Sequence, residues 1–202
     1  MSRTRARLAV TSLLLAACAF ASTTAQAAPP RPRLGVLVVF DQMPMWLLER
    51  YAPFFGPGGF GGLDGAVHSA WYPYASTETA PGHATLATGA APSIHGIATN
   101  TWFHEGKPQY VTDDDAFPVL APVPGDAGVK LARGSSPRML LVPTLGDAMK
   151  AESGGRAKVV TVSHKDRGAI LTAGHAADLA IWYDRELGRF TTSTAYADTL
   201  PG

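Results

Sequence analysis

An unbroken apolar run, Leu34-Gly35-Val36-Leu37-Val38-Val39-Phe40, stops abruptly at Asp41. A β-branched run without polar alternation predicts a strand buried on both faces, and such strands belong to parallel sheets covered by helices. Ala157 to Ser163 repeats the pattern, and Asp166 to Ala176 reads as the helix that follows it. Met45 to Phe55 has helical spacing, with Trp46, Leu47, Leu48 and Tyr51 as its apolar face. Thr79-Ala80-Pro81 opens another helix that Gly89 closes, and Pro143 to Glu152 suggests a further one. His68 to Tyr74 reads as a second strand, and Ala180 to Asp184 with Arg189 to Thr194 as a terminal strand pair around Leu187-Gly188. Gly106 to Pro137, dense in Pro, Gly and Asp, reads as an irregular excursion. The alternation predicts an α/β fold with a mostly parallel central sheet flanked by helices. In such sheets ligands gather beyond the carboxyl ends of the strands, where Asp41, the Thr79 region and the Lys165 region would stand.

The ends of the chain speak to location. Met1 to Arg7 is basic, Leu8 to Ala21 is apolar, and Ala25-Gln26-Ala27 has the small-x-small form of a cleavage site. Residues 1–27 therefore read as an export signal and 28–33 as a short linker, with the fold occupying 34–202. Leu15-Ala16-Ala17-Cys18 permits a second reading, a lipoprotein signal over 1–17 with Cys18 lipidated; a membrane partner is expected only in that case. Either way the chain is exported, to the periplasm or beyond. The formal charge is +1, and loss of Arg3, Arg5 and Arg7 with the leader would leave about −2 (+1 minus three). So balanced a chain offers no global field for nucleic acid. Apolar residues make up 46% of the whole, enough for a core and too many for wholesale disorder. Cys18 is the single cysteine, so any metal in the fold must be held by Asp, Glu, His or a hydroxyl.

Each polar cluster on the expected rim has two readings. Asp41, at the end of a buried strand, is either a hard ligand for a divalent cation or the N-cap of the next helix. Thr79 is either a nucleophile at a helix mouth, where backbone N–H groups and the helix dipole favour anionic oxygen, or an ordinary N-cap like Thr77. The Asn100 amide could donate to a phosphate oxygen without adding charge. Lys165 and Arg167 offer a point charge and a planar fork, both suited to a phosphoryl dianion, yet the triplet with Asp166 could be a surface cluster. Asp113-Asp114-Asp115 lacks the pattern of a calcium loop, the six histidines lack H-x-x-x-H and H-E-x-x-H spacing, and Gly56 to Gly65 is no P-loop. The four tryptophans read as core or rim packing.

The order and wording of four segments add what the single residues do not. Val38-Val39-Phe40-Asp41-Gln42-Met43, Thr77-Glu78-Thr79-Ala80-Pro81-Gly82-His83, Ser93-Ile94-His95-Gly96-Ile97 leading to Asn100, and Ser163-His164-Lys165-Asp166-Arg167-Gly168-Ala169-Ile170 resemble the alkaline phosphatase superfamily. The likeness is to its bacterial periplasmic branch with a threonine nucleophile, related to type I phosphodiesterases and nucleotide pyrophosphatases. The resemblance implies an alkaline-phosphatase-like fold. It also implies two zinc ions, with Asp41 and Thr79 as ligands of one, and Thr79 attacking phosphorus to form a covalent phosphothreonine. By the same resemblance Asn100, Lys165 and Arg167 hold the phosphoryl oxygens, and the basic pair marks monoesterases against diesterases.

Members of that branch are longer and supply their other zinc ligands later, as an Asp-x-x-x-His pair, an Asp-His pair and a distant His. After Arg167 this chain has His175, Asp178, Asp184 and Asp198, none at that spacing. The resemblance thus implies an N-terminal part of the fold, incomplete at its C-terminus and inactive alone, of an enzyme acting on small phosphate esters. A phosphodiesterase or nucleotide pyrophosphatase of the same fold, or an exported phosphate-binding domain without catalysis, are the alternatives.

Overall fold

The computed structural model describes residues 32–121 and 129–200. The leader and Cys18 lie outside the described residues. Backbone contacts divide the chain into two units, Met1–Leu47 and Leu48–Gly202. In the first, Leu34 to Phe40 forms no strand, and Leu34, Val36 and Val38 are 79%, 74% and 64% exposed. The expected buried strand is therefore absent among the described residues. Apolar composition favours burial, but a strand exists only through ladder hydrogen bonds with neighbours, and the run alone cannot supply them. Asp41 and Gln42 form a turn, with Gln42 in the left-handed region at φ 59°. Helix α1 (Met45–Tyr51) follows and runs across the boundary, with none of its residues buried.

The second unit continues with two single turns of 3-10 helix, Ala52–Phe54 and Phe60–Gly62. The expected strand over His68 to Tyr74 is not formed; the segment is irregular, and Trp71 is 91% exposed. Helix α2 (Thr79–Thr88) has Glu78 as its N-cap, and Gly89 closes it at φ 67°, a backbone state that costs glycine little. A short helix α3 (Pro92–His95) comes next. Strands β1 (Thr101–His104) and β2 (Lys107–Tyr110) make one antiparallel hairpin, and β3 (Asp113–Ala121) pairs antiparallel with β4 (Val129–Ser135). Among its described residues, the excursion expected over Gly106 to Pro137 is thus mostly strand. Register shifts around Pro118, which cannot donate to a ladder, hide the alternation that would have announced it.

Helix α4 (Leu145–Glu152) starts with a reciprocal cap in which Thr144 Oγ1 accepts from the Asp147 N–H and the Asp147 carboxylate accepts from the Thr144 N–H. The parallel element is a crossover: β5 (Val160–Ser163), α5 (Asp166–Ala173) and β6 (Leu179–Asp184), with β6 then pairing antiparallel with β7 (Arg189–Thr191). Strand β5 is not buried on both faces, since Val160 and Val162 are 58% and 64% exposed. Among the described residues no helix is long and apolar enough to cross a membrane.

Helix α5 organises the packing. Leu171 joins Ala80, Ala84, Ile97, Val111 and Leu140 in one apolar cluster. Ala169, Ile170 and Ala173 join Val119, Ala180 and Trp182 in another. A fully buried Ile or Leu contributes about 1.5–3 kcal/mol, so α5 is anchored from two sides and its N-terminus is held firmly. Close approach of α5 depends on Gly168, where an added Cβ would lie 2.5 Å from Ser163 Oγ and 3.5 Å from His83 Nε2.

Candidate active site

Two helix mouths meet in the second unit. At the first, Thr79 is the opening residue of α2 rather than its cap, and it is 7% exposed. Its carbonyl accepts from His83 Nδ1 at 2.8 Å. The first N–H groups of a helix have no partner within it, and Pro81 removes one of them altogether. Another, that of Ala80, donates to Asn100 Oδ1 at 2.9 Å. That bond settles the Asn100 amide with its oxygen toward the helix, so its nitrogen is the end available to an anion. The Asn100 N–H in turn donates to Glu78 Oε2 at 2.8 Å.

Beneath that loop, fully buried His95 accepts the Ile97 N–H at Nδ1 (3.1 Å). A neutral imidazole accepting at Nδ1 carries its proton at Nε2, which then donates to Thr85 Oγ1 at 3.0 Å. Burial lowers the His95 pKa, in keeping with a neutral ring.

At the second mouth, Lys165 is the N-cap of α5, and its Nζ reaches Thr79 Oγ1 at 3.4 Å. Arg167 Nη1 donates to the Tyr110 hydroxyl at 2.7 Å, and that hydroxyl donates to Asp166 Oδ1 at 2.8 Å. Thr112 Oγ1 donates to Asp166 Oδ2 at 3.0 Å. The Arg167 guanidinium also lies over the Tyr110 ring, 5.8 Å from its centroid. Burial, reinforced by the Asp166 carboxylate, raises the Tyr110 pKa well above the ordinary phenol range, so the hydroxyl stays protonated. Arg167 Nε is buried with no hydrogen-bond acceptor among the described residues. A cavity of about 390 Å³ opens beside this pair, lined by Tyr110, His164, Lys165, Arg167, Arg133 and Glu186 among others.

Of the residues singled out from sequence, Thr79, Asn100, Lys165 and Arg167 gather around these two helix starts. Asp41 belongs to the other unit. Of the three regions expected to follow strands, only Lys165 does, two residues after β5; neither Asp41 nor Thr79 is preceded by one. The later acidic residues serve the fold. Asp178 pairs with Lys150 at 2.7 Å and Lys158 at 2.9 Å, and Asp184 pairs with Arg133 at 2.5 Å. Asp114, expected in a loop, lies in β3 next to its first residue, where it accepts from Ser136 Oγ at 2.5 Å and pairs with Arg138 at 3.4 Å. Among the described residues no three His, Cys, Asp or Glu side chains converge as a metal site. The Asp41 carboxylate and the Thr79 hydroxyl are each a hard oxygen donor of a kind that zinc accepts.

Residues 36–193 match the family model for type I phosphodiesterase / nucleotide pyrophosphatase. The chain belongs to that family. Alkaline phosphatase PhoV of Synechococcus elongatus is 39% identical over 176 residues, which is 85% of this chain and 31% of the relative. Alkaline phosphatase PafA of Elizabethkingia meningoseptica is 39% identical over 179 residues, 86% of this chain and 32% of the relative. The crystal structure of wild-type PafA matches with a TM-score of 0.77 at 39% identity, over 86% of this chain and 34% of that one. A further PafA structure, also at TM-score 0.77 with 37% identity and the same coverage, carries substitutions of one threonine, one asparagine, one lysine and one arginine. The chain spans about a third of the length of these relatives. The fold is therefore part of the alkaline phosphatase fold.

Sequence reasoning missed three participants at these helix mouths: Glu78, Tyr110 and Thr112. Tyr110 and Arg167 stand 57 residues apart, and Glu78 and Asn100 stand 22 apart. No local motif links such pairs.

Proposed function

We propose that this chain supplies the nucleophile and the phosphate-binding face of an exported, zinc-dependent phosphate monoester hydrolase, active in the full-length protein. The observation that carries the reading is the Lys165 ammonium 3.4 Å from the Thr79 hydroxyl, where two helix N-termini meet. A cation beside a hydroxyl favours the alkoxide, and helix N-termini favour phosphoryl oxygens. Thr79 Oγ gives its proton to solvent and attacks phosphorus, the bond to the ester oxygen breaks, and the alcohol leaves with a proton from solvent. Water then cleaves the phosphothreonine, releasing inorganic phosphate and restoring Thr79. Asn100 donates to one phosphoryl oxygen from its amide nitrogen, while Lys165 and Arg167 face the others. Family resemblance assigns Asp41 and Thr79 to one zinc ion; when bound, the metal pair would activate the attacking oxygen and stabilise the leaving one.

A monoester dianion needs more positive charge than a diester monoanion, and the fixed pair Lys165 and Arg167 provides it. The relatives named alkaline phosphatases support the same choice. The description of the family model favours a second reading, a phosphodiesterase. Rates of the full-length protein on an aryl phosphate monoester and its diester separate the two. Faster monoester hydrolysis, abolished by chelation and restored by zinc, supports the proposal; faster diester hydrolysis overturns it. Residues 1–27 (or 1–17 with Cys18 lipidated) would direct export, which fractionation of the native host tests.

A further inference from the structure

The N-terminus of α2 is capped from a distance. Its own N-cap, Glu78, makes no side-chain cap to the helix. Its carboxylate instead accepts the Asn100 N–H at 2.8 Å, while Asn100 Oδ1 accepts the Ala80 N–H at 2.9 Å. The two bonds run in opposite directions between the same two segments and close a ring of backbone and side chain. Such reciprocity resembles a capping box, in which one residue serves both ends, but here the second residue arrives from a loop beyond α3. Neither bond alone fixes Asn100. The Ala80 bond sets which way the amide faces, while the Glu78 bond holds the backbone N–H, and the Val111 N–H, at 3.1 Å, holds the Asn100 carbonyl.

We infer that Glu78 is a positioning residue for Asn100: its carboxylate holds the Asn100 backbone so that the side-chain nitrogen meets a phosphoryl oxygen. The inference rests on the phosphate-binding role proposed above for Asn100. Acceptor geometry, rather than charge, carries the effect, because a formal negative charge at a phosphate site is otherwise unfavourable. Glutamine keeps an acceptor oxygen on the same stem and should substitute for Glu78; alanine should not.

The test is a mutant cycle in the full-length protein, reading kcat/KM on an aryl phosphate monoester and competitive inhibition by inorganic phosphate. Glu78→Ala is expected to weaken both about tenfold, and Glu78→Gln to stay within about threefold of wild type. In an Asn100→Ala background, Glu78→Ala should add less than about twofold, because its target is gone. An undiminished tenfold loss in that background, or Gln no better than Ala, overturns the inference. Amide hydrogen exchange at Asn100 gives a readout independent of activity: Glu78→Ala should accelerate it while the α5 amides stay protected. A wild-type protein without hydrolase activity but with this exchange pattern would sink the proposed function and leave the clamp standing. Active wild type with unchanged exchange at Asn100 in Glu78→Ala would sink the clamp alone.

Discussion

The mouths of α2 and α5 reach the same place by opposite means. At α2 the donors are neutral, a backbone turn and the Asn100 amide, held by Glu78. At α5 they are cations, Lys165 and Arg167, with Arg167 steered by a hydroxyl that Asp166 keeps in place. Neutral donors lose little when a charged ligand leaves, whereas fixed cations discriminate by charge. On the proposed function, the first mouth positions any phosphoryl group and the second prefers the dianion.

That contrast can be broken in order of expected effect. Thr79→Ala should remove turnover by about a thousandfold or more on monoester and diester alike, measured at saturating substrate. Lys165→Ala combined with Arg167→Ala should cost about a hundredfold more on the monoester than on the diester; equal losses would erase the distinction between the mouths. Tyr110→Phe keeps the ring beneath Arg167 but deletes the bridging hydroxyl. About a tenfold monoester loss is expected, with a smaller diester loss, read from kcat/KM on each. Asn100→Asp keeps an acceptor for the Ala80 N–H while replacing the donor by a carboxylate. Inhibition by phosphate should vanish, while urea unfolding shifts less than for Asn100→Ala, for which loss of the cap costs about 1 kcal/mol.

The smallest effect concerns pH. The His95 pKa is lowered in the folded state, so the unfolded chain binds the proton first as pH falls. Stability from the neutral ring is complete above the ordinary histidine value of 6.5 and declines below it, toward the lowered folded value. Unfolding midpoints between pH 7 and pH ~5.5 should fall in wild type and flatten in His95→Gln.

How far the sequence reached follows from what each feature depends on. Helix α2 was readable because Pro81 and Gly89 are local signals. The β5-α5-β6 crossover was readable from the β-branched run and the helix after it, although that helix, expected to reach Ala176, ends at Ala173 before Gly174. Leu34 to Phe40 misled, since hydrophobicity reports a wish for burial and not the presence of a ladder partner. Strands β2 to β4 were hidden under Pro, Gly and Asp, and register shifts in the β3–β4 pair blurred its alternation further. Thr79, Asn100, Lys165 and Arg167 came from motif order, whereas Glu78, Tyr110 and Thr112 act through contacts that only folding creates.

The central claim is that the Thr79 oxygen takes the phosphoryl group. Rapid acid quench of the full-length protein during turnover of a 32P-labelled monoester, followed by peptide mapping, reads this directly. Acid-stable label on the peptide bearing Thr79, released when substrate is chased, is the expected result; label on another residue would contradict it.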